Sequence, residues 1–139
     1  MTDRVINVVV AIDFSDDLID MLRGASPLLN IERHFPDVSP EAWEQAEVIY
    51  TYRPLPAPGQ APNLKWIQAN SAGLEHIVDT PLVQERKGDI TITSASGIHA
   101  VPMTEYALGM MLAWEYKLPQ MQRYQQQKIW PEDRFDIFA

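Results

Sequence analysis

Five short strand-like runs recur through the first two-thirds of the chain: the β-branched Val5–Ile12, then Leu29–Phe35, Val48–Tyr52, Leu64–Ala69 and Ile90–Ser94. Runs this short and apolar read as strands of a parallel sheet, Val5–Ile12 buried on both faces and Leu29–Phe35 nearer an edge. Helical patterns separate them. Asp16 to Ala25 carries Leu18, Ile19 and Leu22 at helical spacing, with Ser15 or Asp16 as cap and Gly24 and Pro27 as stop signals. Ser39-Pro40-Glu41-Ala42 starts a second helix, ending near Ala46, with serine as cap and proline at the first helical position. Leu74–Glu85 reads as a third. Between the third and fourth strands, YRPLPAPGQAP holds four prolines and a glycine, so Tyr52 to Pro62 is a loop over the strand ends.

The order βαβαβ, loop, βαβ, helix predicts the α/β class: a flavodoxin-like three-layer sandwich with a five-stranded parallel sheet, followed by a long apolar helix. That helix starts near Val101 and Pro102. From Tyr106 to Trp114 it has no charged residue, and Tyr106, Leu108, Met110, Met111, Leu112 and Trp114 point in every direction. A helix lying on one sheet needs an apolar stripe only about 100° wide. The far side of this one is expected to meet a second domain or a second subunit, with a homodimer as the simplest assembly. Pro119 then opens a polar helix, Gln120 to Lys128, before an aromatic tail, WPEDRFDIFA. The expected division is a flavodoxin-like domain over residues 1–100 and the helices and tail over 101–139.

A net charge of −8 without a basic cluster argues against nucleic acid as a partner. It also means that any anion site must rely on local donors. The absence of cysteine removes thiolate chemistry and disulfides, with the cytoplasm as the default setting. The start, MTDRVINVVVAID, is a strand rather than a signal peptide, and no run approaches the ~20 apolar residues of a membrane span. A soluble chain without membrane contact is expected.

Ligands of open parallel sheets sit at the carboxyl ends of the strands. At one such end, Asn70-Ser71-Ala72-Gly73 leads toward a helix start, where backbone N–H groups suit a carboxylate or phosphate. A helix end there contributes roughly 0.3–1 kcal/mol if exposed and up to ~2 if partly buried. Gly73 permits close approach of a ligand to the backbone. The same residues also read as an ordinary strand-to-helix turn. Arg53, closing the third strand, is the cation placed to join such a site, and equally reads as a solvated loop residue. His34, His76 and His99 lack metal-ligand spacing and read as structural or solvent-facing. Ser15 and Ser71 lack a G-x-S-x-G setting. Glu105 falls in the expected first turn of the long helix, where its charge suits the dipole. A phosphoacceptor receiver site fails at Tyr52-Arg53 and Ser94-Ala95-Ser96, and the six glycines never approach G-x-G-x-x-G.

Together, NLKWIQANSAGLEHI and ITITSASGIHAVPMTEYALGMMLAWEYKLPQMQRYQQQKIW resemble the N-terminal segment of the D-isomer-specific 2-hydroxyacid dehydrogenases. The resemblance is close over Leu64 to Trp130 and looser over Val5 to Tyr52. Ser96-Gly97-Ile98-His99-Ala100 ahead of Thr104-Glu105-Tyr106-Ala107 is most similar to the glyoxylate/hydroxypyruvate reductase branch. The resemblance implies a substrate-binding domain in which backbone groups of Ser71, Ala72 and Gly73 hold the carboxylate of a small 2-oxo acid. It implies a substrate-facing Arg53, and a Thr104 lying where the family approaches its cofactor, NAD or NADP. Glu75 stands where the family commonly has Asp. The family's catalytic Arg, Glu and His and its glycine-rich loop lie later in its chain than Ala139. On this reading no catalytic residue, bound cofactor or metal is expected in this chain alone. The alternative is a stand-alone, self-associating module derived from the same fold.

Overall fold

The computed structural model describes residues 4–132. Five parallel strands form one sheet: β1 (Ile6–Ala11), β2 (Leu29–Arg33), β3 (Val48–Thr51), β4 (Trp66–Ala69) and β5 (Thr91–Thr93). Their order across the sheet is β2-β1-β3-β4-β5, the flavodoxin-like winding that reverses direction between β1 and β3. Each expected run supplies one strand, and the run at Leu29 lies at an edge. Helices cover both faces. On one side lies α1 (Asp16–Arg23); on the other lie α2 (Pro40–Gln45), α3 (Glu75–Val78) and α4 (Pro81–Glu85). This is a three-layer α/β sandwich.

The period of two divides the strand side chains between the layers. On the α2–α4 side, Val9, Ile49, Ile67 and Ile92 stand in register on four neighbouring strands. They pack with Trp43, Ala46, Ile77 and Leu82 in the larger core. The α1 side is smaller, built on Val10, Ile19 and Ile31. The first core turns polar at the β2 edge, where Asn7 pairs in register with Asn30, and Val9 with Glu32. There the Asn30 amide donates to Asn7 Oδ1 at 3.0 Å.

Local chemistry explains the element ends. Ser39 Oγ accepts from the Ala42 N–H at 3.2 Å, and Pro40 takes the first turn of α2, as its sequence dictates. Ser15 occupies the cap position of α1 without a side-chain cap bond. The third expected helix is not continuous. It breaks into α3 and α4 because Pro81 has no N–H to give a preceding turn and instead starts a new helix. The proline-rich loop is fixed from within and from α4: Thr51 Oγ1 donates to the Pro54 carbonyl at 3.1 Å, and the Arg86 guanidinium donates to the Ala61 and Leu64 carbonyls at 2.8 and 2.7 Å. Glu47, nearly buried, ties the start of the sheet together through Arg4 and the Asn7 N–H.

Two compact units divide between Ser96 and Gly97. In the second, α5 (Ala100–Glu115) and α6 (Leu118–Gln127) are packed on each other and joined through Lys117, which adopts the left-handed conformation at φ 50°. Helix α5 starts a residue earlier than expected, so Glu105 falls in its second turn and the dipole argument for it lapses. Val101, Tyr106, Met111 and Trp114 stand exposed on it, and it has no buried residue. Among the described residues no helix is long and apolar enough to cross a membrane. Most of the expected aromatic tail, from residue 133 onward, lies outside the described residues.

Candidate functional site

The carboxyl edge of the sheet gathers the loops that follow each strand. Thr51 and Ala69 are partners in the β3–β4 register. Arg53 and Ser71 therefore leave the sheet at equal distances beyond that pair, on adjacent strands. Strand order alone brings the two together, since their separation in sequence is large. The Asn70 N–H donates to the Thr51 carbonyl at 2.8 Å, and the Ala95 N–H donates to the Ser71 carbonyl at 2.9 Å. Both bonds extend the sheet past its last ladder residue. The turn is thus held from β3 on one side and from the end of β5 on the other.

Side chains fix it further. The Tyr50 hydroxyl donates to Asn70 Oδ1 at 2.9 Å, and Phe14 meets the Tyr50 ring edge-to-face at 5.3 Å. Ser71 Oγ donates to the Gly73 carbonyl at 2.7 Å, a local closure open to a serine in a turn. The backbone N–H groups of Ser71, Ala72 and Gly73 have no acceptor among the described residues. Unpaired backbone donors of this kind are the groups that bind an anion where they converge. Ala72 and Gly73 are exposed and Ser71 is half-buried.

The expected helix-dipole contribution is corrected here. Helix α3 has four residues, and Leu74 occupies its cap position. A single turn sums few peptide dipoles, so the N–H groups of the turn remain the main local donors. The role of Gly73 also differs in detail. Its φ is not positive, and a Cβ there would meet the Glu75 carboxylate, with Oε2 at 2.5 Å. The glycine leaves room for a side chain folded back onto the turn.

Arg53 is exposed and makes no ion pair or hydrogen bond among the described residues. The other arginine at this edge, Arg33, is already committed to Asp16 at 2.8 Å and to the Phe14 carbonyl. Arg53, at the end of the strand next to the turn, keeps an uncommitted guanidinium. His76, expected to be structural or solvent-facing, is half-buried and lies against the turn, its Nε2 3.4 Å from Ser71 Oγ and its ring 4.7 Å from that of Tyr52. This contact has no local sequence signal, because it needs the β3–β4 pairing to bring Tyr52 to α3. His34 pairs with Glu32 at 3.3 Å.

Thr104 belongs to the second unit, in the second turn of α5, and donates its hydroxyl to the Ala100 carbonyl at 2.8 Å. That is ordinary i−4 back-bonding. A dinucleotide does not fit the residues of the sheet's first crossover. The chain passes from β1 to α1 through Ile12-Asp13-Phe14-Ser15, without glycine and with acids where a pyrophosphate would lie. No group of three or more His, Asp or Glu among the described residues could hold a metal ion.

No protein-family model matches the sequence of this chain, and no curated protein sequence does. Solved structures do match its fold. A D-isomer-specific 2-hydroxyacid dehydrogenase family protein from Aeromonas salmonicida is 21% identical with a TM-score of 0.65, the match covering 94% of this chain and 41% of that one. A D-lactate dehydrogenase from Aquifex aeolicus, complexed with NAD and lactic acid, is 18% identical with a TM-score of 0.66, over 91% and 39%. An NADPH-dependent glyoxylate/hydroxypyruvate reductase from Sinorhizobium meliloti, in complex with NADP and sulfate, is 17% identical with a TM-score of 0.61, over 91% and 40%. The fold is shared. This chain spans about two-fifths of the length of each of these proteins.

Proposed function

We propose that this chain is the substrate-binding part of an NAD(P)-dependent D-2-hydroxyacid dehydrogenase and seats the carboxylate of a small 2-oxo or 2-hydroxy acid. The observation that carries the reading is the row of unpaired N–H groups at Ser71, Ala72 and Gly73 just past β4, with Arg53, unpartnered among the described residues, just past the neighbouring β3. A carboxylate offers about four lone-pair sites to such donors, and bonds to it are charge-assisted. The likeness to dehydrogenase structures and the sequence resemblance over Leu64 to Trp130 support the same reading. A glyoxylate/hydroxypyruvate reductase-like specificity belongs to this proposal, as does a cytoplasmic setting.

In the intact enzyme, hydride passes between the nicotinamide and C2 of the acid. The residues of this chain do one part of that work: they bind the carboxylate and so fix the acid's orientation. The dinucleotide and the proton-transferring groups belong elsewhere in the intact enzyme, so this chain is inactive by itself. Titrating pyruvate into the isotope-labelled chain tests the seat. The amide signals of Ser71, Ala72 and Gly73 should shift together and saturate at roughly 1 mM, an affinity of ~4 kcal/mol. Shifts scattered over the surface, or none, would sink the proposal.

The all-round apolar Tyr106–Trp114 stretch is assigned, in the same proposal, to contact with a Rossmann domain or a second subunit, with a homodimer as the expected state of this chain. Sedimentation at micromolar concentration should show a dimer, and Met111→Lys with Trp114→Lys should shift it to monomer. A wild-type chain that sediments as a monomer would remove that assignment.

A further inference from the structure

The ring of His76 is restrained from two directions, and each restraint bears on the carboxylate turn. On one side the Tyr52 ring lies 4.7 Å away, tilted by 40°. On the other, His76 Nε2 reaches Ser71 Oγ at 3.4 Å. The direction of that second bond follows from the first bond Ser71 makes. Ser71 has one hydroxyl proton, and at 2.7 Å from the Gly73 carbonyl that proton is committed, because a carbonyl can only accept. The Ser71–His76 bond therefore needs its proton on Nε2, with Ser71 Oγ accepting. The result is a relay of two bonds: imidazole to hydroxyl, hydroxyl to the Gly73 carbonyl.

We propose that His76 is the positioning residue of the carboxylate seat, its Nε2–H holding the Ser71 hydroxyl on the Gly73 carbonyl and so steadying the turn that carries the Ser71, Ala72 and Gly73 N–H groups. This inference rests on the carboxylate reading above and adds a residue to it. The reason a positioning group is needed is rotameric. A serine at a half-exposed turn has three staggered wells and can exchange an intramolecular acceptor for water. A donor arriving from α3 favours the one well in which Oγ both accepts from His76 and donates to Gly73. At 3.4 Å the bond is long, and the Tyr52 ring lies against the imidazole on its other side. Tyr52 and Arg53 are adjacent. One dipeptide at the end of β3 thus steadies the imidazole with its first residue and offers a cation with its second.

Two variants separate the donor from the ring. His76→Phe keeps an aromatic surface for Tyr52 and removes the N–H; His76→Gln keeps an amide N–H at about the reach of Nε2 and removes the ring. Backbone order parameters at Ser71–Gly73, measured on the ligand-free chain, should fall from about 0.85 toward 0.6 in His76→Phe and hold in His76→Gln. The pyruvate affinity should weaken about three- to tenfold in His76→Phe and within about twofold in His76→Gln. Unchanged order in His76→Phe would overturn the inference, because ring packing alone would then suffice. Equal loosening in both variants would overturn it as well, since a donor without the ring would not do the work. A wild-type chain that ignores pyruvate while the order parameters respond as stated would defeat the carboxylate reading, and with it the purpose assigned to His76.

Discussion

Ile67→Ala will cost about 2–5 kcal/mol of stability, against a total of ~5–15 kcal/mol for an ordinary domain. Ile67 is fully buried on β4, and its register partners Ile49 and Ile92 flank it on the neighbouring strands. Helix residues Ile77 and Leu82, both buried, belong to the same core. Removing three carbons there loses their transfer energy and leaves a void that strands on both sides prevent from closing. Trp43, buried in that core, offers a fluorescence signal for urea unfolding. Met21→Ala on α1, where the side chain is 70% exposed, should change stability by less than about 0.5 kcal/mol. Equal losses in the two variants would mean that the row from Val9 to Ile92 does not anchor the unit.

That row is also where the sequence was easiest to read. Val9, Ile49 and Ile67 lie in runs too short for ordinary helices, and Ile92 in a shorter one, each set between helical patterns, so strand identity and the α/β class followed from local pattern. The capping chemistry at Ser39-Pro40 was equally local. The break between α3 and α4 was legible in principle, because Pro81 marks it, but the apolar spacing of Ile77, Leu82 and Val83 runs across the break and hides it. The edge of the site behaved differently. That Arg53 and Ser71 leave adjacent strands follows once the strand order is known. The bonds of Tyr50 to Asn70 and of His76 to Ser71, and the Tyr52–His76 ring contact, depend on register and rotamer, which a periodicity does not contain. His76 therefore read as an isolated histidine. Glu75 read as a residue of the third helix, and its fold-back onto Gly73 is a matter of rotamer, which the sequence pattern does not contain.

Arg53→Gln will weaken pyruvate binding about tenfold and leave the unfolding free energy within about 0.5 kcal/mol of wild type. A hydrogen bond to a charged group contributes roughly 1.5–3 kcal/mol, or ~10- to 150-fold in affinity. Arg53 is exposed, so water and salt screen its charge and the lower end of that range applies. The stability half of the prediction follows from its having no bonded partner among the described residues to lose. Arg86→Gln supplies the contrast. That guanidinium bonds the Ala61 and Leu64 carbonyls, beside two buried residues that lead into β4. Its loss leaves the Leu64 carbonyl unpaired, while the Ala61 carbonyl keeps the Leu64 N–H at 3.2 Å, and should cost about 1–3 kcal/mol of stability with pyruvate binding near wild type. Salt gives a second discriminator: added salt should weaken the wild-type complex more than the Arg53→Gln complex, because only the former includes the guanidinium–carboxylate attraction. If Arg53→Gln binds pyruvate as wild type does at low salt, the cation of the seat is some other group. The turn at Ser71–Gly73 would then have to hold the acid with neutral donors alone, in a chain whose net charge of −8 opposes it.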